Sequence, residues 1–319
     1  MFRDRRLRSA ARSFEEMRLM YAVEDLNQQA GRSPVGSVTI EKAFCEDFER
    51  VYPLLLEFNV ARITREDWRR LFTNNWKSPE EFCGYLLVDD DEVKGFLGLL
   101  FSSRTINGKA EKFCNMTSWI VADEYRNQSL RLLLEALKLQ DYTMTNFSPS
   151  QTVAAILKKV GFAELNTSHR ILFPIPSSSI GRSKYRYLFD LDSIRLELSE
   201  IDRAIFDDHR SFARHVLISS QNDYCYLVFK NRVYRHLPFA RAHYVSNRPL
   251  FREAVDSVRH KICWRLKVAG LMIDERYLGD GNFNFSGSYP PQGPAFFRSS
   301  TVSGNDIDTL YSEMILLHD

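Results

Sequence analysis

The stretch Ser118-Trp-Ile-Val-Ala-Asp-Glu-Tyr-Arg-Asn-Gln-Ser-Leu-Arg131 decides the fold, because it holds the end of a strand, a short polar loop and the start of a leucine-rich helix. Backbone N–H groups in such a loop and in the first helical turn lack intrahelical partners, and the helix dipole favours an anion beside them. Arg126 and Arg131 add positive charge. The stretch predicts a phosphate or pyrophosphate site, with an ordinary strand-to-helix turn as the alternative.

Three strands are expected before this loop. Gly84–Val88 and Val93–Ser103 are apolar segments on either side of an acidic turn. Asn107-Gly108 is a strong hairpin pattern, because both residues tolerate a positive φ angle, and it leads into a third strand, Glu111–Val121. The three strands should form an antiparallel meander.

A helix, a strand and a second helix are expected after the loop. Ser129–Gln140 has leucines at helical spacing, Tyr142–Asn146 is a short strand, and Thr152–Val160 is a helix that Gly161 ends. A strand–helix–strand crossover makes Tyr142–Asn146 parallel to the third strand of the meander. The expected fold class is α/β, with a mixed sheet that combines an antiparallel meander with a parallel crossover strand.

The chain of 319 residues favours two domains. The proline- and serine-rich stretch 174–182 is the best boundary, so we expect an N-terminal basic helical extension at 1–36 and domains at 37–176 and 183–319. The second domain repeats the order of the first, with paired strands on either side of Lys230-Asn231, then a helix and a further strand. This order suggests a structural duplication, although the same order is common in α/β proteins.

Composition excludes several classes of protein. Hydrophobic residues make up 44% of the chain and charged residues 26%, which is typical of globular proteins. The balance of 43 Lys+Arg against 41 Asp+Glu argues against a nucleic-acid partner. No apolar run is long enough to cross a membrane, and the N-terminus does not resemble a secretory signal. We therefore expect a soluble, cytoplasmic protein with no transmembrane segment.

The segment 1–30 alternates arginines with apolar residues, largely at helical spacing. It predicts either a surface helix or a segment that docks onto a partner or an anionic membrane surface. The five cysteines are widely spaced and odd in number, which indicates reduced thiols rather than disulfides or a zinc site. The sequence also lacks HxH and HExxH patterns, so no metal is expected.

From about Thr39 to Asn166 the sequence resembles the GNAT superfamily of acyl-CoA N-acyltransferases. The loop looks like that family's pyrophosphate-binding motif, Gln/Arg-x-x-Gly-x-Gly/Ala, with Arg126, Ser129 and Arg131 in the three defined places. The segment 154–162 looks like a later family motif, a helix that ends in Gly-Phe. The resemblance implies an acyl-CoA N-acyltransferase-like fold, duplicated here, which transfers an acyl group from acetyl-CoA or another acyl-CoA to a small-molecule or peptide amine.

Two departures from the family pattern leave other functions open. Neither loop glycine is present, and Leu157 occupies the place where many members have a tyrosine that protonates the departing thiolate. The alternatives are a non-catalytic GNAT-like binding or scaffold protein, and an aminoacyl or long-chain acyl transferase with paired halves. The second half lacks a glycine-rich loop at 245–250, and Pro249 removes an amide donor, so no CoA site is expected there.

The resemblance places the chemistry at the ends of two strands. Asn115, Ser118 and Ser148 are the candidate catalytic side chains, but none is a strong base, so a water relay or a distant Glu or His is required. His169 is one such histidine, although a lone histidine near a strand is usually structural. A strand bulge is expected to present a backbone N–H to the thioester around Ile120. The expected cofactor-binding set is Ile120, Val121, Arg126, Asn127, Gln128, Ser129, Leu130, Arg131 and Asn146.

Overall fold

The computed structural model describes residues 38–73, 75–176, 184–221, 223–291 and 293–317. The predicted extension 1–36, with its docking segment 1–30, lies outside these ranges. Most of the predicted linker 174–182 lies outside them too. The division into 37–176 and 183–319 stays a prediction.

The described residues form fourteen strands in two mixed sheets. In chain order these strands are β1 (Thr39–Ala43), β2 (Gly84–Asp89), β3 (Glu92–Ile106), β4 (Lys109–Val121), β5 (Tyr142–Asn146), β6 (Ala163–Leu165), β7 (His169–Leu172), β8 (Arg186–Leu188), β9 (Arg214–Ser219), β10 (Tyr224–Tyr234), β11 (Leu237–Val245), β12 (Gly270–Asp274), β13 (Ser286–Tyr289) and β14 (Ala295–Arg298).

Nine α-helices connect these strands within the described part of the chain. They are α1 (Phe48–Leu56), α2 (Arg65–Arg70), α3 (Ser129–Leu137), α4 (Gln151–Lys159), α5 (Leu191–Glu197), α6 (Glu200–His209), α7 (Arg248–Leu266), α8 (Glu275–Leu278) and α9 (Glu313–Leu316). Short side chains cap several of them: Thr64 accepts from the Asp67 amide at the start of α2, and Ser150 accepts from the Val153 amide at the start of α4.

The two sheets repeat one strand order, which confirms the expected mixed α/β fold and fits a duplication. The first sheet runs β1-β2-β3-β4-β5-β14-β6 and the second runs β8-β9-β10-β11-β12-β7-β13. In each sheet the first four strands are antiparallel and the fifth lies parallel to the fourth. The predicted meander and the parallel placement of Tyr142–Asn146 are therefore confirmed.

Each half of the chain supplies one strand to the sheet of the other half. Strand β14, from near the C-terminus, pairs with β5 and β6 in the first sheet. Strand β7, which precedes the linker, pairs with β12 and β13 in the second sheet. Because both exchanged strands are internal to their sheets, neither sheet is complete without residues from both halves.

Two turns test the hairpin predictions. Asn107 and Gly108 join β3 to β4 with φ angles of 51° and 76°, as predicted. The expected turn at Lys230-Asn231 is wrong, because both residues lie inside β10. The chain turns instead at Arg235 and His236, which have φ angles of 48° and 65°. A non-glycine pair in the left-handed region is uncommon, so residue type gave little indication of this turn.

A shared core joins the two halves. Helices α1 and α2 and one face of the first sheet pack against α5, α6 and one face of the second sheet. Helices α3 and α4 cover the opposite face of the first sheet, and α7 covers the opposite face of the second. The shared core includes Phe48, Leu55, Phe96, Phe206, Tyr226 and Ile315, none of them more than 1% exposed. The two sheets therefore fold as one packed unit.

Candidate active site

Strand β4 continues beyond the end of its pairing with β5, and the end of that pairing is named the divergence of the two strands. Their parallel pairing runs from Lys112–Tyr142 to Asn115–Thr145 and stops there, while β4 continues to Val121. Strand β5 ends at Asn146, and no β5 residue pairs with β4 from Met116 onward. The divergence at Asn115 is therefore a candidate place for a substrate in the first sheet.

A bulge interrupts β4 just beyond this point. Phe96 pairs with Ile120 and Gly98 pairs with Thr117, so Ser118 and Trp119 together stand opposite the single residue Leu97. Ser118 has a φ angle of 51°, in the left-handed region. A bulge turns backbone amides away from the ladder, and bulges are frequent beside active sites. The bulge was expected around Ile120 and Val121, but it lies just before them. Ile120 and Val121 themselves make regular pairs with Phe96 and Gly95.

A buried carboxylate occupies the divergence of the two strands. Glu313, 5% exposed, accepts a hydrogen bond from Asn115 Nδ2 at 2.6 Å through Oε2 and one from Ser148 Oγ at 2.5 Å through Oε1. Thr145 Oγ1 donates to Asn115 Oδ1 at 3.0 Å and fixes the orientation of that amide. The structure thus brings two predicted residues, Asn115 and Ser148, onto one acid that the sequence did not indicate.

The C-terminal segment holds Glu313 in place. Glu313 begins α9, and the hydroxyl of Ser312 accepts from the Met314 amide at the start of that helix. Ile315 and Leu316 are fully buried, and Lys230 Nζ donates to the carbonyl oxygens of Ile315 and Leu317. In the sequence, Glu313 is distinguished only as a single acid before a run of apolar residues, and this does not mark it as a site residue. Its partner lies 165 residues away at Ser148, a separation that no local pattern reveals.

Of the other predicted residues, Asn146 contacts this network, Ser118 lies on the bulge of β4, and His169 lies in the second sheet. Asn146 is buried and its Oδ1 accepts from the Ser148 amide at 3.3 Å, so it shapes the turn that carries Ser148. Ser118 lies on the bulge, where its hydroxyl is 3.4 Å from Thr117 Oγ1. His169 lies in the second sheet, where its Nδ1 is 2.7 Å from the Thr167 carbonyl oxygen and burial lowers its pKa to about 4.

The predicted phosphate loop is a 3-10 helix, Asp123–Gln128, that leads directly into α3. The Ser129 amide, expected to be available to a phosphate, donates to the Arg126 carbonyl oxygen. The loop contains no glycine, so none of its residues adopts a positive φ angle without strain. Arg126 remains 75% exposed and pairs with Asp123 at 2.6 Å, so its guanidinium group is accessible from solvent.

Arg131 and Asn127 differ from Arg126 in their surroundings. Arg131 donates to Gln128 Oε1 at 3.2 Å and to the Val38 carbonyl oxygen at 3.1 Å, so it links α3 to the start of β1. Asn127 Oδ1 is buried and has no hydrogen-bond partner in the described part of the chain. A buried amide oxygen without a donor is costly, which makes the loop a place where a ligand or a rearrangement could improve the bonding.

The second sheet repeats the bulge but not the loop. Val228 pairs with Tyr244 and Phe229 with Ala242, so His243 is the extra residue on β11. His243 is 1% exposed, burial lowers its pKa, and its Nδ1 lies 2.8 Å from Thr309 Oγ1. In the following turn Asn247 caps α7 by accepting from the Leu250 amide.

Comparisons with known proteins identify the fold. No protein-family model matches the sequence, and no curated protein matches it. Among solved structures, a GCN5-related N-acetyltransferase from Anabaena variabilis is similar to this chain with a TM-score of 0.54 and 14% identity over 82% of this chain and 72% of that one. A GCN5-related N-acetyltransferase from Kribbella flavida is similar with a TM-score of 0.51 and 12% identity over 82% and 71%. The chain therefore has the fold of the GCN5-related N-acetyltransferases, as the sequence predicted.

The described residues contain neither a membrane-spanning helix nor a metal-binding cluster. None of the described helices combines the length and apolar character needed to cross a bilayer. Within the same ranges, no group of three His, Cys, Asp or Glu side chains is placed to hold a metal ion.

Proposed function

We propose that this protein is an acyl-CoA-dependent N-acyltransferase that transfers an acyl group to an amine, with acetyl-CoA as the preferred donor. The observation that carries the proposal is the carboxylate of Glu313, held by Asn115 and Ser148 where β4 and β5 separate. A GCN5-related fold with an acid at the divergence combines a place for a thioester with a group that accepts a proton.

Glu313 acts as the general base in this proposal. An amine is protonated at neutral pH and must lose a proton before its nitrogen can attack a carbonyl carbon. The proton passes to Glu313 directly or through one water. The donors Asn115 and Ser148 hold the carboxylate in a fixed orientation.

The bulge and the loop have separate roles. The carbonyl oxygen gains negative charge as the nitrogen attacks, and backbone amides around Ser118–Ile120 stabilise it. The C–S bond then breaks and the thiolate departs. Leu157 is fully buried in α4, so no acid protonates the thiolate from that position. Departure without an acid is feasible because a free thiol has a pKa near 8.5. Arg126 is the cation that contacts the diphosphate of CoA.

The test measures binding and turnover separately. Calorimetric titration with CoA establishes binding, and thiol release from acetyl-, octanoyl- and palmitoyl-CoA with a panel of amines establishes transfer. We expect CoA to bind at micromolar to low millimolar concentration and acetyl-CoA to release thiol only when an amine is present. Absence of CoA binding at millimolar concentration would overturn the proposal.

The same assays distinguish the alternatives. CoA binding without thiol release from any donor would favour a non-catalytic binding protein, for which Leu157 and the absent loop glycines are the supporting observations. Release from palmitoyl-CoA alone would favour a long-chain acyl transferase. Either result would replace acetyl transfer as the function.

A further inference from the structure

One end of the second sheet carries a group of exposed apolar side chains. Strands β7 and β10 end there, and β11, β12 and β13 begin there. Helix α7 ends at the same place, since the Ala269 amide that follows it donates to the Pro238 carbonyl oxygen at 2.7 Å. We name this group of side chains the tip surface. Its members are Phe173, Val233, Leu237, Trp264 and Phe285.

The tip surface collects most of the exposed apolar bulk of the molecule. Nine large apolar side chains are exposed in the described part of the chain, and five of them belong to the tip surface. Trp264 is 83% exposed, Phe285 is 69% exposed and Val233 is 67% exposed. Exposed apolar side chains that are scattered singly are ordinary, whereas a cluster of them marks a surface that contacts a partner or a membrane.

The backbone holds Phe285 in its exposed position. Phe285 has a φ angle of 52°, in the left-handed region, which is unfavourable for a bulky side chain. Its carbonyl oxygen accepts from the Phe173 amide at 3.0 Å and from Arg259 Nη1 at 3.4 Å. Arg259 is 2% exposed and also donates to the Asn284 carbonyl oxygen. Backbone strain persists only where the surrounding structure imposes it, and it is concentrated at functional sites. The fold therefore presents an aromatic ring to solvent at a cost in stability.

The charges around the tip surface are positive. Each of its residues lies in a stretch of sequence without Asp or Glu, and these stretches are 165–189, 224–252, 257–273 and 281–305. Four exposed cations adjoin the tip surface in the chain: Arg235, Lys261, Arg265 and Lys267. Among the described residues, none of the four pairs with a carboxylate. Arg235 and Arg265 lie over the rings of Tyr234 and Phe189 instead. The tip surface is therefore apolar with a basic border.

This combination favours a lipid bilayer as the occupant. The apolar side chains project from separate places, namely the end of α7, the β10–β11 turn and the segments beside β7 and β13, and a fluid interface accommodates such an arrangement. Aromatic side chains with neighbouring Lys and Arg are typical of protein surfaces that lie on anionic membranes. Two copies of the chain facing each other through this surface would bring like charges together, which disfavours a dimer.

We propose that the tip surface binds the surface of an anionic lipid bilayer, with Leu237, Trp264 and Phe285 in the headgroup region and the four cations against the lipid phosphates. Each Lys or Arg near an anionic bilayer adds about fivefold to the affinity. The side chains reach the interface only, so the binding is reversible and depends on salt. This proposal goes beyond acyl transfer and does not depend on it.

The experiment mixes the full chain with phosphatidylcholine vesicles, prepared with and without phosphatidylserine, and measures flotation and tryptophan fluorescence. We expect binding to the vesicles that contain phosphatidylserine, and this binding should weaken as salt is raised. Trp264 is the most exposed of the four tryptophans, since Trp68 and Trp76 are buried and Trp119 is half-buried. Binding should therefore shift the emission of Trp264 to shorter wavelength as its ring leaves water.

Variants at exposed positions test the contacts without impairing the fold. Trp264→Ala should weaken vesicle binding about tenfold and abolish the emission shift. Lys261→Gln and Lys267→Gln should each weaken it about fivefold. Leu196→Ala is the matched control for Trp264, because Leu196 is 80% exposed and lies on α5, outside the tip surface. Lys138→Ala, an exposed cation in the first half, is the control for the two lysines.

Four results would overturn the proposal. The first is no binding to phosphatidylserine vesicles at low salt, and the second is equal binding to vesicles with and without phosphatidylserine. The third is equal binding by Trp264→Ala and Leu196→Ala, which would mean that another part of the chain, such as 1–30, contacts the lipid. The fourth is an emission shift that appears without vesicles as the protein concentration rises, which would indicate contact between copies of the chain. No acyl donor is present in these assays, so their outcome is independent of transferase activity.

Discussion

Asn115 donates a hydrogen bond to Glu313 at 2.6 Å across 198 residues of sequence. The bond joins the middle of β4 in the first sheet to the last helix of the described chain. With β14, which inserts beside β5, it makes the C-terminal part of the chain a component of the first sheet's site. The residues that resemble an acyltransferase motif are therefore only part of the candidate machinery.

Replacing Glu313 with glutamine tests the proposed base. Glutamine can accept from Asn115 and hydrogen-bond to Ser148, so the fold should persist while the proton acceptor is lost. We expect kcat/KM for acyl transfer to fall by about 10²- to 10⁴-fold, the usual contribution of a general base. Steady-state thiol release across pH 6–9 provides the measurement. The matched control is Glu57→Gln, an exposed acid after α1. Equal rates in parent and Glu313→Gln would exclude Glu313 as the base.

Arg126 tests the phosphate loop. Its pair with Asp123 is exposed on both sides, and such pairs contribute little to stability, so Arg126→Ala should fold normally. A charge-assisted hydrogen bond to phosphate contributes about 1.5–3 kcal/mol, and we therefore expect CoA affinity to fall roughly tenfold to a hundredfold. Affinity for pantetheine, which lacks the diphosphate, should not change.

Lys138→Ala is the control for Arg126, because Lys138 is an exposed cation at the opposite end of α3. Titration calorimetry on both variants is the measurement. If Arg126→Ala and Lys138→Ala bind CoA equally well, the loop does not hold the diphosphate.

The strand exchange predicts that the two sheets unfold together. Phe296 lies on β14, is fully buried in the first sheet, and is brought there by the second half of the chain. Phe296→Ala should lower the free energy of unfolding by about 3–5 kcal/mol, the usual cost of such a cavity. Hydrogen exchange should show faster opening of amides in both sheets.

Leu196→Ala, at a side chain 80% exposed, should leave exchange in both sheets unchanged. Loss of protection confined to the first sheet of Phe296→Ala would contradict coupled unfolding.

The sequence predicted the local elements of the first half well, because each rests on nearby residues. The Asn107-Gly108 turn, the leucines of α3 and the Gly161 stop act within one element, and all three are observed. The pairing of β4 with β5 followed from the handedness of crossovers.

Features that depend on distant residues were not predictable in this way. The place of β7 in the second sheet could not be predicted, since its partners β12 and β13 come about a hundred residues later. In the sequence Glu313 is one acid in a short apolar stretch. Its role becomes apparent only from its hydrogen bonds to Asn115 on β4 and to Ser148 after β5. The turn at Arg235 and His236 has no glycine, and the polar pair Lys230-Asn231 resembled a turn more closely.

Buried histidines give the protein a stability that depends on pH. Burial lowers the pKa of His169 and of His215 from 6.5 to about 4, and His215 is held between the Tyr226 hydroxyl and the His209 carbonyl oxygen. Below pH 6.5 the unfolded chain binds protons at these sites, whereas the folded chain does not until about pH 4. The contribution of these two histidines to the free energy of unfolding is therefore complete above pH 6.5 and decreases as the pH falls toward 4.

The loss at pH 5 should be about 2 kcal/mol for each of these two histidines. His215→Gln cannot titrate, so its free energy of unfolding should change less between pH 7.5 and pH 5 than that of the parent. Urea denaturation at the two pH values measures this difference, and only the change with pH is compared, because the substitution also alters packing. Burial raises the pKa of Asp202 and of Asp208, which has the opposite effect on acidification, but these groups are common to both proteins and cancel in the comparison. An identical loss in parent and His215→Gln would mean that His215 is not kept neutral by the fold.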